Sequence, residues 1–367
     1  MGREAQCVSK AQRNMASSFL VIRRDNIGDL VCTTPLFTAL RQHFPDARIY
    51  ALVNSYNKAV LENNPEIEQV FWYAKAKHQA GWKGKLSAYW QRLRLIIKLR
   101  RMKFDYAILA SPGFQPRSLQ LAGWIRPKHI IGYTENGNTQ HSRIDIAIPH
   151  TVRHPMHEAE AVFRLLEPLG ITGKPPANRV FPDAAEICHA RDLLKSQAWE
   201  SKLTIGVHIS ARKPSQRWPV DRFAALIRKL HADYQANFLL FWSPGDDTNP
   251  LHPGDDANAS NIIRQVDTLP VLPFPTQQLP QLIAGLSLCD VVICSDGGAM
   301  HLAAGLGKPI LCFFGKSSAT HWHPWGVSHA LIQPPSLDVA DISVSDALEG
   351  FEKLRTHFEV NRPPRNS

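Results

Sequence analysis

Residues 18–53 read SFLVIRRDNIGDLVCTTPLFTALRQHFPDARIYALV. Ser18 to Arg23 is a short apolar strand, and the polar run from Arg24 to Asp29 is a turn. From Leu30 to His43 the apolar residues recur on one face of a helix. Pro45 and Asp46 stop that helix, and Ala47 to Val53 is apolar and strand-like again. A strand, a loop, a helix and a second strand in this order open a doubly wound, Rossmann-like half.

The pattern continues along the chain. Gly84 to Lys103 is helical and basic, with Lys85, Arg92, Arg94, Lys98, Arg100, Arg101 and Lys103 interleaved with Trp90, Leu93, Ile96, Ile97 and Leu99. Such a helix either lies on an anionic surface or packs its apolar stripe on the sheet beneath it. Tyr106 to Ala110 and His129 to Gly132 read as strands, and Glu158 to Leu169 as a helix. Gly170 to Pro182 is rich in Gly and Pro and has no period, which marks a linker. A second series follows. Leu203 to Ile209 is a strand, Val220 to Tyr234 a helix and Asn237 to Trp242 a strand. Leu279 to Leu288 is a helix, Asp290 to Cys294 a strand, Ala299 to Leu306 a helix and Ile310 to Phe314 a strand. A last helix lies around Ser345 to Arg355.

At 367 residues the chain is long enough for two cores. The expected organisation is a tail at 1–17, a first α/β domain at 18–172, a linker at 173–183, a second α/β domain at 184–355 and a tail at 356–367. Met15 is an alternative start. No apolar run reaches the roughly 18 residues of a membrane span. The N-terminus has no secretory h-region. Six scattered cysteines without a CxxC pair read as reduced thiols and point to the cytoplasm. The net charge of +10 suits an anionic partner of some kind. No helix-turn-helix, RRM or zinc module supports nucleic acid as that partner.

Ligands of open α/β sheets bind outside the carboxyl ends of the strands. Three polar loops stand there in this reading. The first, Arg23 to Asp29, holds Asp25, Asn26, Gly28 and Asp29. An acid at a helix start is either a cap or a carboxylate able to take a proton from a hydroxyl, and spacing leaves both open. The second, Ser210 to Pro219, carries Arg212, Lys213, Ser215 and Arg217 directly before a helix, and is either an anion site or an exposed basic loop. The third reads Ser295-Asp296-Gly297-Gly298-Ala299-Met300-His301. Its glycines let a ligand approach the backbone, Asp296 is suited to sugar hydroxyls, and His301 is either structural or part of the site. No G-x-G-x-x-G supports a nicotinamide enzyme, and Ile310 stands where the first glycine of a P-loop is required ahead of Gly315-Lys316-Ser317. His321 and His323 lack the company of a zinc site.

Together the loops resemble glycosyltransferase family 9, the bacterial lipopolysaccharide heptosyltransferases. The resemblance rests on FLVIRRDNIGDLVCTTPLFTALRQHFPDARI (19–49), VHISARKPSQRWPVDRFAAL (207–226) and VICSDGGAMHLAAGLGKPILCFFG (292–315), in the family's order and at about its spacing. It extends from about residue 18 to 350. It implies a GT-B fold, two Rossmann-like domains with parallel sheets facing across a cleft, the first for the acceptor and the second for the nucleotide-sugar donor. It implies an inverting, metal-independent transferase with no cofactor, ADP-heptose as donor, an anionic glycolipid acceptor and work at the cytoplasmic face of the inner membrane. Asp29 matches the family's proposed base, Arg23 a basic position near the leaving diphosphate or the acceptor, Ser210 and Ala211 the phosphate-binding turn, and Asp296 the carboxylate that holds heptose hydroxyls. Gly297, Gly298 and His301 match the rest of that donor loop, and Asp25, Asn26 and Gly28 lie on the acceptor side. Two departures touch the donor side. Gln216 stands where a Lys is frequent, with Lys213 or Arg212 available to supply the charge, and ISA replaces a frequent GA. Another nucleotide sugar, another glycan or protein acceptor, and a non-catalytic binding protein are the alternatives.

Overall fold

The computed structural model describes residues 17–74, 81–135, 138, 140–150, 155–195, 199, 203–247 and 253–358. The expected tail at 1–17 (save Ser17) and the end of the chain from 359 on lie outside the described residues. The chain divides into two compact units after Asn178.

The first unit carries six strands: β1 (Ser18–Ile22), β2 (Arg48–Asn54), β3 (Gln69–Tyr73), β4 (Tyr106–Leu109), β5 (His129–Thr134) and β6 (Ile146–Pro149). They form one parallel sheet in the order β3-β2-β1-β4-β5-β6. Its helices are α1 (Ile27–Val31), α2 (Thr34–His43), α3 (Gly81–Arg101), α4 (Pro116–Ile125) and α5 (Glu158–Phe163). The second unit has β7 (Thr204–His208), β8 (Asn237–Trp242), β9 (Val271–Pro275), β10 (Val291–Ser295), β11 (Ile310–Phe313) and β12 (His329–Ile332). Its helices are α6 (Ala184–Lys195), α7 (Val220–Tyr234), α8 (Asp256–Gln265), α9 (Leu279–Ser287), α10 (Gly298–Gly305), α11 (Ala319–Trp322) and α12 (Val344–Phe358). Its sheet runs β12-β11-β10-β7-β8-β9, also parallel. Read from the first strand of each unit, the two orders are the same.

The central strands β1, β7 and β10 are buried along their whole length, because helices cover both faces of a parallel sheet. In each unit the strand order reverses beside the first strand, between β1 and β4 and between β7 and β10. The gap opened there between diverging loops is the usual ligand position of this topology.

The helix expected from Leu30 to His43 is two helices, α1 and α2. Pro35 has no N–H with which to continue the helical ladder. The Thr33 and Thr34 hydroxyls donate to the carbonyls of Asp29 (2.8 Å) and Val31 (2.7 Å), closing the first helix where it breaks. The helix expected from Glu158 to Leu169 keeps α-geometry only to Phe163. Arg164–Leu169 is a 3₁₀ segment containing Pro168.

Candidate functional site

In the first unit, β1 delivers Arg23 to the switch point. Its side chain is only 2% exposed, and protein groups surround it. Nη1 donates to the Ala110 carbonyl just beyond β4, at 2.6 Å. Nη2 donates to Asp29 Oδ1 at 2.9 Å and to Glu158 Oε1 at 2.6 Å. Nε lies 3.0 Å from Asp25 Oδ2. Burial alone would make the guanidinium give up its proton more readily. Glu158, then Asp29, then Asp25 outweigh that, and the pKa stands above the ordinary arginine value.

Arg23 is therefore a keystone. A ligand-facing cation near a diphosphate, as the resemblance implied, would need exposure that this side chain lacks. Its job in this geometry is to hold Asp29. That carboxylate is 17% exposed. One oxygen is taken by Arg23, and the other accepts the Asn26 N–H at 3.0 Å, from the residue that caps α1. Asp29 closes the helix start, and its carboxylate is left partly open. An ionised carboxylate has about four acceptor positions, so these two bonds leave room for a proton donor.

Asp25 also accepts the Ser111 hydroxyl at 2.7 Å. Its carbonyl accepts Asn57 Nδ2 at 3.1 Å and the Tyr56 hydroxyl. Asn26 is exposed, and the Gly28 carbonyl accepts Cys32 N–H inside α1. Glu158, the first residue of α5, received no role in the sequence reading. An acid in a first helical turn is ordinarily a response to the helix dipole, and nothing local distinguishes this one. Only the fold brings it 135 residues back onto Arg23.

In the second unit the loops after β7, β10 and β11 gather. Ser210 Oγ accepts the Ser243 N–H at 2.9 Å, and Arg217 Nε donates to the Ala211 carbonyl at 3.0 Å, which folds the loop on itself. Trp218 is a buried anchor whose indole donates to the Ile342 carbonyl at 2.8 Å. Between these points Gln216 is pulled inward. Its amide donates to Asp296 Oδ2 at 2.7 Å and to Ser317 Oγ at 3.1 Å. Gln333 ties the same loop down through the carbonyls of Gly315 (2.7 Å) and Ser317 (3.0 Å). Gly315 is required here, because a Cβ would stand 2.3 Å from the Ser215 carbonyl oxygen.

Asp296 is half-buried at the end of β10, beside the uncapped start of α10. A Cβ at Gly297 would meet no protein atom within 4 Å, so the loop faces open space at that point. The first N–H groups of a helix have no partner in the helix itself. His301 lies buried within the first turns of α10, edge-on to Trp322 with ring centroids 5.8 Å apart. Arg212 and Lys213 are exposed on the loop. Gln216, at the position where a Lys is frequent, brings a neutral amide to Asp296. His208 ends β7, and nothing in its local sequence singles it out. Burial pushes its pKa down to about 4.

Cys32, Cys289, Cys294 and Cys312 are buried, Cys188 is exposed, and none of these five is in a disulfide among the described residues. Among the described residues no helix is long and apolar enough to cross a membrane.

Two parallel-sheet units with polar loops at both switch points have the frame of a doubly wound, ligand-binding α/β protein. The profile of glycosyltransferase family 9 (heptosyltransferase) matches residues 92–342, and the chain belongs to that family. It is a glycosyltransferase. Lipopolysaccharide heptosyltransferase 3 of Escherichia coli K12 is 27% identical over 307 residues, 81% of this chain and 82% of that one. The crystal structure of a family 9 glycosyl transferase from Veillonella parvula matches with a TM-score of 0.76 at 22% identity, over 94% of this chain and 99% of that one. The structure of the E. coli ADP-heptose lps heptosyltransferase II matches with a TM-score of 0.72 at 18% identity, over 93% and 99%. The two-domain α/β fold implied by the motifs is borne out. Arg23 and Asp29 precede the residues matched by the family profile, so their roles rest on the geometry above.

Proposed function

We propose that the chain moves a heptose from ADP-heptose onto the inner core of a lipopolysaccharide acceptor, with inversion and without a metal, at the cytoplasmic face of the inner membrane. The observation that carries the reading is the partly exposed Asp29 carboxylate, fixed by a buried Arg23 that it shares with Glu158 and Asp25. Asp29 removes the proton from the acceptor hydroxyl as its oxygen attacks the anomeric carbon. The leaving diphosphate gains negative charge in the transition state. The uncapped start of α10 and the cations of the 210–217 loop are suited to stabilise that charge more than the ground state. Asp296, oriented by Gln216, accepts hydrogen bonds from the donor's sugar hydroxyls. The names of the relatives support the donor and acceptor classes, and the family supports the reaction type.

A second reading keeps the reaction and changes the donor. It is favoured by Gln216, which meets Asp296 with an uncharged amide. The test for both is product mass from the purified chain offered ADP-heptose, UDP-sugars and GDP-sugars with a heptose-accepting core glycolipid. Transfer from ADP-heptose alone upholds the first reading. Transfer from another donor alone upholds the second.

A further inference from the structure

The charge of this protein is concentrated in one stretch. Gln69 to Thr134 contains thirteen Lys and Arg residues and a single acid, Asp105. That is under a fifth of the chain, yet it carries more positive charge than the +10 of the whole. Asp105 is occupied, accepting from Ser18 and from Lys128 at 2.7 Å. The helices α3 and α4 lie in this stretch.

α3 has more apolar surface than the sheet uses. Leu99 is buried, and Leu95, Ile96 and Met102 pack against the core. A further row, Tyr89, Leu93 and Ile97, repeats every fourth residue and so lies along one side of the helix. Tyr89 is 64% exposed, and Leu93 and Ile97 are more than 40% exposed. Trp90, 57% exposed, heads the adjacent row, where Arg94 and Arg101 are exposed as well. Across from the apolar row stands Trp124 of α4, also exposed. Between the two helices runs a groove of about 420 Å³ with aliphatic walls and with Arg92, Arg100 and Arg126 along it. Arg92 is held between two rings, its guanidinium 5.2 Å from the Tyr73 centroid and 5.5 Å from that of Trp124.

We propose that the α3–α4 face docks the protein onto an anionic phospholipid bilayer, with Trp90, Leu93, Ile97 and Trp124 entering the interface and the surrounding arginines meeting lipid phosphates. Charge complementarity selects this occupant. Exposed Trp and Tyr prefer the boundary between water and hydrocarbon, and Arg stems cover apolar surface while their heads reach phosphate. Nucleic acid would meet the cations but leave Leu93 and Ile97 unsatisfied. A second copy of the chain docked through the same patch would set the cationic faces against each other. For its purpose this surface rests on the glycolipid-acceptor reading, since it would bring the enzyme to a membrane-held acceptor. Its binding to lipid is measured without donor or acceptor, so the two ideas fail separately.

The experiment is co-sedimentation of the full chain with vesicles of phosphatidylcholine alone and of phosphatidylcholine mixed with phosphatidylglycerol. Binding is expected only to the mixed vesicles and to weaken with added salt. Each surface cation contributes roughly 1 kcal/mol at such a surface, so Arg94→Gln with Arg101→Gln should weaken binding about thirtyfold. Leu93→Ser with Ile97→Ser should weaken it as well, and an unchanged thermal melt with normal ADP binding will show that these exposed changes leave the fold intact. The idea is overturned if mixed vesicles do not bind, or if neither pair of substitutions alters binding. Tighter binding to duplex DNA than to mixed vesicles, insensitive to the Leu93/Ile97 pair, overturns it in favour of nucleic acid. Self-association abolished by Leu93→Ser overturns it in favour of a second copy.

Discussion

The two switch points share a topology and differ in what they bury. At the first, the protein buries charge: Arg23 and Glu158 are both essentially inaccessible and meet at 2.6 Å. At the second it buries neutral polar groups, the Gln216 amide and an imidazole, His208, that burial keeps uncharged near neutral pH. A buried ion pair gains little net stability but penalises any arrangement in which one partner is missing. It therefore fixes Asp29 closely, which suits a group that must do chemistry. A neutral amide on Asp296 holds more loosely and leaves the carboxylate's charge for a ligand to meet, beside a glycine that faces open space.

The sharpest way to break this contrast is at Asp29. Asp29→Asn keeps the size of the side chain and removes the base, and turnover should fall about 10²–10⁴-fold. Donor affinity by calorimetry should hardly change. Turnover like that of the wild type would leave Asp29 with its capping role alone. Next comes Arg23→Met, which takes the shared cation away from three carboxylates, the buried Glu158 among them, and should cost roughly 3–5 kcal/mol of stability. A urea midpoint unchanged by this substitution would mean that the buried pair is not held as described.

A third measurement addresses the neutral side. The pKa of His208 is about 4 in the folded protein, whereas an ordinary histidine titrates near 6.5 in an unfolded chain. Between those values the unfolded state binds more protons, so the neutral burial of His208 stabilises fully above pH ~6.5 and loses that stabilisation as the pH falls toward ~4. The total is up to about 3 kcal/mol. Urea titrations at several pH values should show this loss in the wild type and a flatter profile in His208→Gln. Equal slopes would remove the imidazole from the account. The smallest effect is expected at Gln216→Ala. Loss of a hydrogen bond to a charged group, worth about 1.5–3 kcal/mol, should loosen Asp296 and weaken donor binding about tenfold or more while sparing the chemical step. A fall in turnover with unchanged donor affinity would reverse the division of labour between the two sites.

How much of this was legible beforehand follows a physical rule. Eight strands could be read from the chain, and they are the interior strands of the two sheets. The four passed over, β3, β6, β9 and β12, are the four edges. An interior strand of a parallel sheet is covered on both faces and reads as a continuous apolar run. An edge strand has one free ladder and partial exposure. β9 even tolerates Pro273 and Pro275, which a central strand could not. The loops of the site were legible because Gly, Pro and clustered polar residues interrupt those apolar runs. The bounds of α7 and β8 fell where their periodicity placed them, Val220–Tyr234 and Asn237–Trp242.

Local sequence thus determined two α/β series, their interior strands and the three loops that end at the switch points, because burial on both faces and turn chemistry act on neighbouring residues. The tertiary structure alone decided the roles within those loops. It made Arg23 a buried support, brought Glu158 to it across 135 residues, set Gln216 on Asp296 and turned His301 toward Trp322. Charges and hydrogen bonds act through space, and the distance along the chain between two groups says nothing of whether the sheet will bring them together.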